Sequence, residues 1–123
     1  MDEHMIRSAA ERYISALAGN PAHFLEQFTP TAWIEDADGV QHRGRAAIAS
    51  YIHAWLSDYR SVHLTTERVV VARHQAAVRW KAKVVTSTGH RAVFGGISIL
   101  KFDSAGRILG ARQYETGVLA QSA

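Results

Sequence analysis

Apolar residues at Ile6, Ala9, Ala10, Tyr13 and Leu17 recur in steps of three and four, which gathers them on one stripe of a helix from about Glu3 to Ala18. Gly19 ends that run. Asn20-Pro21 sets a capping residue before a proline at the first helical position, and so predicts a second, short helix carrying Phe24, Leu25 and Phe28 inward until Thr29-Pro30 stops it. The spacing then predicts a strand from Ala32 to Asp36, a turn through Asp38-Gly39 and a short return over Val40 to Arg43. A third helix follows from about Arg45 to Tyr59, with Ile48, Tyr51, Ile52, Trp55, Leu56 and Tyr59 on its apolar positions. Everything beyond reads as strand: Val62 to Ala72, Ala76 to Thr86, His90 to Phe102 and Arg107 to Glu115, rich in Val, Ile, Thr and aromatics. The loops between them, Arg73-His74-Gln75, Ser87-Thr88-Gly89 and Asp103-Ser104-Ala105-Gly106, are short enough for antiparallel hairpins. Helices first and a meander afterwards make an α+β arrangement. Gln121-Ser122-Ala123 reads as a frayed tail.

Alternation assigns the faces of the predicted sheet. In the strand from Ala76, residues Val78, Trp80, Ala82 and Val84 point toward the helices, while Arg79, Lys81 and Lys83 point outward as a solvated stripe. The next strand is apolar on both sides, with Phe94, Ser98, Leu100 and Phe102 on one face and Val93, Ile97 and Ile99 on the other. Three helices cover one side of a sheet only. The expected cover for the second apolar face is another copy of the chain, a homodimer through the outer sheet face. In the last strand Ala111, Gln113 and Glu115 share a face, opposite Arg112 and Tyr114.

Composition narrows the classes. At 123 residues, residues 1–123 form a single domain with no room for a separate cofactor domain. The balance of 47% hydrophobic and 20% charged residues is that of a globular protein. The net charge of +3, spread over eleven arginines and three lysines without a block, and a pI near 9.6 do not make a nucleic-acid surface. No apolar run has the length of a membrane span, and Met1-Asp2-Glu3-His4 lacks the order of a secretion signal, so a cytoplasmic protein without membrane contact is expected. The absence of cysteine fits that compartment. The seven histidines, at positions 4, 23, 42, 53, 63, 74 and 90, lie without metal-ligand spacing, so neither metal nor other cofactor is expected.

The stretch from Trp33 through Glu35-Asp36 and Asp38-Gly39, followed by Gly44-Arg45 and the third helix, resembles the opening of the nuclear transport factor 2-like superfamily. That resemblance implies a curved antiparallel sheet wrapped around three N-terminal helices, a cystatin-like α+β barrel with a cone-shaped pocket, and sheet-to-sheet dimers. Within the superfamily the chain is similar to ketosteroid isomerases at Arg12-Tyr13-Ile14, Glu35-Asp36, Gly44-Arg45, Ala47-Ile48, Phe102-Asp103 and Gly106-Arg107-Ile108. Tyr13 falls at the oxyanion tyrosine of that family and Asp36 at its aspartate base. Ser98 stands where the family has a protonated aspartic acid. SnoaL-like cyclases place an acid/base aspartate on a late strand, which puts Glu115 in that role.

Each of these residues also has a structural reading. Asp36 and Asp38 build the turn before Gly39, Tyr13 packs in the first helix's stripe, and Glu115 is a solvated residue near the chain end. If Asp36 lines a desolvated pocket, its carboxyl should titrate above the ordinary aspartate value. Two functions follow. One is a cofactor-free isomerase or cyclase acting next to a carbonyl, with Asp36 as base, Tyr13 and Ser98 as oxyanion donors and Glu115 as a second carboxylate. Its small, largely apolar substrate would meet Ile34, Trp55, Trp80, Phe94, Leu100 and Gln113. The other is a non-catalytic module of the same fold that binds a small hydrophobic molecule or only dimerises.

Overall fold

The computed structural model describes the backbone of residues 2–122 and the side chains of residues 2–116. Asp2 opens α1 (Glu3–Gly19) by accepting the Met5 amide at 2.8 Å, and the stripe Ile6, Ala9, Ala10, Tyr13, Ile14 and Leu17 is buried along its length. Asn20 serves two helices. Its amide closes α1 on the Ala16 carbonyl, while its side chain accepts the Ala22 and His23 amides to start α2 (Pro21–Glu26). After β1 (Phe28–Glu35) and β2 (Gln41–Arg43) comes α3 (Arg45–Ser57), and then β3 (Tyr59–Ala72), β4 (Gln75–Thr86), β5 (Arg91–Phe102) and β6 (Ile108–Ser122).

Phe28 does not belong to the second helix, and Pro30 does not end one. The helix stops at Glu26 and the chain is already extended at Phe28. Proline is tolerated there because the ladder between β1 and β6 breaks between Phe28 and Trp33, so no partner waits for the missing amide hydrogen. Tyr59 likewise opens β3 instead of closing α3. The last strand extends past Glu115 to Ser122, which takes Gln121 and Ser122 out of the expected tail; Ala123 lies outside the described residues.

The strands form one curved, unclosed six-stranded sheet in the order β2-β1-β6-β5-β4-β3. The chain is an α+β fold, as the pattern of elements and the resemblance imply. Neighbouring strands run antiparallel except β1 and β6, whose parallel pairing sets Ile34 beside Ala111 and Glu35 beside Arg112. A meander cannot make that joint, because it links the strand after α2 to the last one in the chain. Among the described residues no helix is long and apolar enough to cross a membrane.

The helices lie on the inner face, where Ala32, Ile34, Ala76, Val78, Trp80, Ala82, Val84, Phe94, Ser98, Leu100, Phe102, Ala111 and Gln113 are buried against Tyr13, Phe24, Phe28, Ile48 and Ile52. Trp33 and Glu35 point outward: Arg112 lies 5.8 Å over the Trp33 ring and 3.7 Å from the Glu35 carboxylate. Register decides one inner position. Gly96 faces Trp80 across β4 and β5, and the indole lies on the bare glycine so closely that a Cβ there would run into the ring and into the Tyr114 carbonyl. Gly96→Val should therefore lower the unfolding free energy by about 1–3 kcal/mol or more through overpacking. Denaturant titration checks it, and a parent-like midpoint would mean that the indole has another resting place.

Candidate functional site

Polar atoms enter the inner face in two places. The first is deep. The Trp80 indole donates to the Ser98 hydroxyl at 3.0 Å, and both residues are buried. Gln113 stands beside Ser98 on β6. Tyr13 reaches the same region from α1, its ring packed 5.2 Å from Phe24 and 6.2 Å from Phe28. Ser98 lies near enough to the phenol to favour its ionised form slightly, yet the pair does not attain hydrogen-bond geometry, and the Tyr13 hydroxyl has no protein partner. The Gln113 side-chain oxygen is also buried without one. Burial, with the neighbouring Tyr51, pushes the Tyr13 phenol far above its ordinary value, so it remains a neutral donor at physiological pH.

The second place is the rim, where β1 turns into β2 beneath α3. Asp36 Oδ1 accepts the amides of Asp38 and Val40, both at 3.0 Å, and Oδ2 lies 2.8 Å from His42 Nε2. His42 is cross-strand from the inward Ile34, and its ring stacks on Tyr51 of α3 with centroids 4.4 Å apart and planes 18° from parallel. Burial alone would raise the Asp36 carboxyl. The His42 hydrogen bond, the Val40 and Asp38 amides and the attraction of His42 together outweigh it, so the group sits below the ordinary aspartate value, opposite to the expected direction. Tyr51 is raised by burial first and then by Asp36, Glu115 and Asp38.

Glu115 stands across the rim on β6. It is solvent-exposed along part of its length, but nearby protein still raises its carboxyl by desolvation; the Trp55 indole opposes that rise, and the Asp38 and Asp36 carboxylates add to it. Trp55, Tyr59 and Phe94 surround this side with centroid separations of 5.5, 6.5 and 6.3 Å. The rim thus sets two carboxyl groups, one raised and one lowered, beside an imidazole and an aromatic wall. That is an arrangement able to move protons on an apolar molecule.

The expected residues thus fall into two groups instead of one. Tyr13, Ser98, Trp80, Gln113, Ile34 and Leu100 are buried inside, whereas Asp36, Glu115 and Trp55 are partly exposed. Phe94 packs 6.0 Å from Trp80 between them, and Tyr51 neighbours Tyr13 on one side and stacks on His42 on the other. Tyr13 and Ser98 have 0% exposure, so among the described residues the centre of the expected pocket is filled. The rings of Tyr13, Phe24, Phe28 and Trp80 occupy the space. Clefts of about 450 Å³ along α1 and α2 and about 310 Å³ beside Trp33 and Ile99 lie outside the cone. His42 and Tyr51 were not singled out as chemistry in the sequence. Tyr51 shows there only as a core position and His42 as one scattered histidine, and the stacking that joins them needs β2 placed under α3. Among the described residues no group of three or more histidine, aspartate or glutamate side chains is placed to hold a metal ion.

The SnoaL-like domain family matches residues 10–111, and the chain belongs to it, within the nuclear transport factor 2-like superfamily. Solved structures share the fold at low identity. A protein described as a SnoaL-like polyketide cyclase from Jannaschia sp. CCS1 superposes with a TM-score of 0.83 at 12% identity, covering 93% of this chain and 87% of its own. An NTF2-like protein of unknown function from Exiguobacterium sp. 255-15 gives 0.79 at 12% identity over 89% and 98% of the two chains. SalBIII, an epoxide hydrolase/cyclase-like enzyme with a role in pyran ring formation in the polyether salinomycin, gives 0.83 at 19% identity over 94% of each. No curated protein matches the sequence.

The two deep hydroxyls predict opposite responses to their removal. Ser98→Ala strands the buried Trp80 N–H and should cost about 1–3 kcal/mol, whereas Tyr13→Phe removes an unpartnered hydroxyl and should be neutral or stabilise by about 1 kcal/mol. Equal losses in thermal and denaturant unfolding would show that the phenol has a partner of its own. The depressed Asp36 carboxyl adds stability that is complete above the unfolded value of about 3.9 and lost as pH falls through the lower folded value. Asp36→Asn should accordingly flatten the acid limb of a stability-against-pH curve, and an unchanged limb would contradict the hydrogen-bonded carboxylate.

Proposed function

We propose that this protein binds a small, largely apolar carbonyl compound in the cone and moves a proton next to its carbonyl, as a cofactor-free isomerase or cyclase. The observation that carries this reading is the Tyr13 hydroxyl and the Gln113 oxygen, two of the three buried side-chain polar atoms without a protein partner among the described residues, set in a largely apolar interior. Buried polar groups are ordinarily paired, and each one left alone costs on the order of 1–3 kcal/mol. A ligand oxygen would accept from the Tyr13 phenol and remove that cost. An oxygen that becomes an enolate would gain most, which is the condition for catalysis as opposed to mere binding. The raised Glu115 and the Asp36–His42 pair supply proton carriers at the rim. Ser98, already accepting from Trp80, offers its one proton as a second donor.

The filled centre favours a second reading, a binding or dimerisation module whose cone is a core. The two readings separate on solvent deuterium uptake into a panel of enolisable apolar ketones such as 2-tetralone, followed by mass spectrometry. The enzyme reading expects catalysed uptake that falls about 10²–10³-fold in Tyr13→Phe, the usual loss for an oxyanion donor. Binding of the ketones without catalysed uptake would leave the module.

The same reading includes a homodimer through the outer sheet face. Ile97 and its cross-strand neighbour Tyr114 are 37% and 48% exposed there, next to Val93 and Ile99. Ile97→Lys would place a charge in that desolvated contact and should give monomer in sedimentation or light scattering. A parent that sediments as the 13.6 kDa monomer at micromolar concentration would remove the dimer.

A further inference from the structure

We propose that His42, held by Asp36, is the group at the rim that takes and returns the proton, and that Asp36 is its positioning residue; this rests on the proton-transfer reading above. Three of the roughly four lone-pair positions of the Asp36 carboxylate are committed. Oδ1 serves two backbone amides of its own turn and Oδ2 faces His42 Nε2 at 2.8 Å, so a proton taken up by Asp36 itself would weaken either the turn or the hold on His42. Asp103 in the β5–β6 turn accepts the amides of Ala105 and Arg107 in the same way, both at 2.9 Å. That part of the Asp36 geometry is therefore turn building. What Asp36 has in addition is the imidazole.

The imidazole is constrained on two sides. Tyr51 stacks flat on the ring and fixes its plane, and the carboxylate requires a donor, so Nε2 carries the hydrogen and Nδ1 the lone pair. Among the described residues Nδ1 makes no hydrogen bond, and the side chain keeps 22% exposure. The titratable groups around it are Asp36 and Asp38 in the turn, Tyr51 on α3 and Glu115 on β6. The arrangement repeats the logic of a carboxylate that orients a histidine, fixes its tautomer and steadies the imidazolium. In the step, the Nδ1 lone pair takes a proton from the carbon next to the carbonyl. The C–H electrons become the new C=C bond, and the carbonyl π pair moves onto oxygen, which accepts a hydrogen bond from the intact Tyr13 phenol. The imidazolium then returns its proton to carbon, and no electrons leave the system.

Two measurements test it. Long-range proton–nitrogen NMR of the parent at alkaline pH, where the ring is neutral, should show a single tautomer for His42 with the hydrogen on Nε2. Asp36→Asn should mix the tautomers, because an amide can donate as well as accept. A His42 ring protonated on Nδ1 in the parent would overturn the assignment whatever the activity. In the ketone exchange assay, His42→Gln keeps an amide donor for Asp36 and should lower turnover about 10²–10⁴-fold, the range for a general base, with ketone binding retained. Exchange reduced in Tyr13→Phe but parent-like in His42→Gln would overturn the role of His42 and leave the proposed function standing. A parent that binds the ketones and exchanges none of them overturns both.

Discussion

The indole of Trp80 is the constraint around which the cone is arranged. It is the largest buried side chain on the sheet, it lies across β5 only because residue 96 has no side chain, and its one N–H must be matched inside an apolar space. Ser98 meets that need. The oxygen of this hydroxyl is thereby committed to the fold before any ligand arrives, because it completes the hydrogen bonding of a tryptophan. Tyr13, next to it, is left without a protein partner. A single packing decision on β4 thus shapes which deep polar groups remain free.

A different device sets the rim. The turns starting at Asp36, Thr86 and Asp103 share one design, in which a side-chain oxygen accepts the amide four residues on and the residue at the third step, Gly39, Gly89 or Gly106, donates to the first carbonyl. Gly39 and Gly106 have φ of +82° and +89°, where a Cβ would be strained. The Gly44-Arg45 pair is scaffold of a similar kind. Gly44 donates to the Ala32 carbonyl at 2.7 Å, and the Arg45 guanidinium holds the Phe28 carbonyl through Nε and Nη2, which fixes α3 against β1. These motifs recur because the fold needs them, so they identify the family and say little about the reaction.

The same economy explains why the carboxylate at the end of β1 is held low. A carboxyl in an apolar pocket rises, but one that receives two amides and an imidazole falls, because hydrogen bonds to the charged form outweigh its desolvation. Glu115, desolvated and opposed only by the Trp55 indole, moves the other way. The two carboxyl groups of the rim are thus separated in acidity, Asp36 lowered by its hydrogen bonds and Glu115 raised by desolvation.

Periodicity by itself determined the three helices, the inner and outer faces of β4 and β5, the turns at Asp36 and Asp103 and the α+β class, because each depends on contacts a few residues apart or on strict alternation. Local signals misplaced Phe28 and Tyr59. Pro30 reads as a helix stop in isolation, and only the gap in the β1–β6 ladder makes it acceptable in a strand. The parallel joint between β1 and β6 was beyond reach, since no local rule joins residues 33 and 110. The candidate site divides along the same line. Tyr13, Ser98 and Trp80 were readable as inward from their alternation and stripe, Gln113 only through the family resemblance, whereas the direction of the Asp36 shift and the entry of His42 and Tyr51 were decided by tertiary structure. Stacking an imidazole on a phenol while a carboxylate holds its edge requires β1, β2 and α3 to meet, and hydrophobic spacing along one chain carries no information about that meeting.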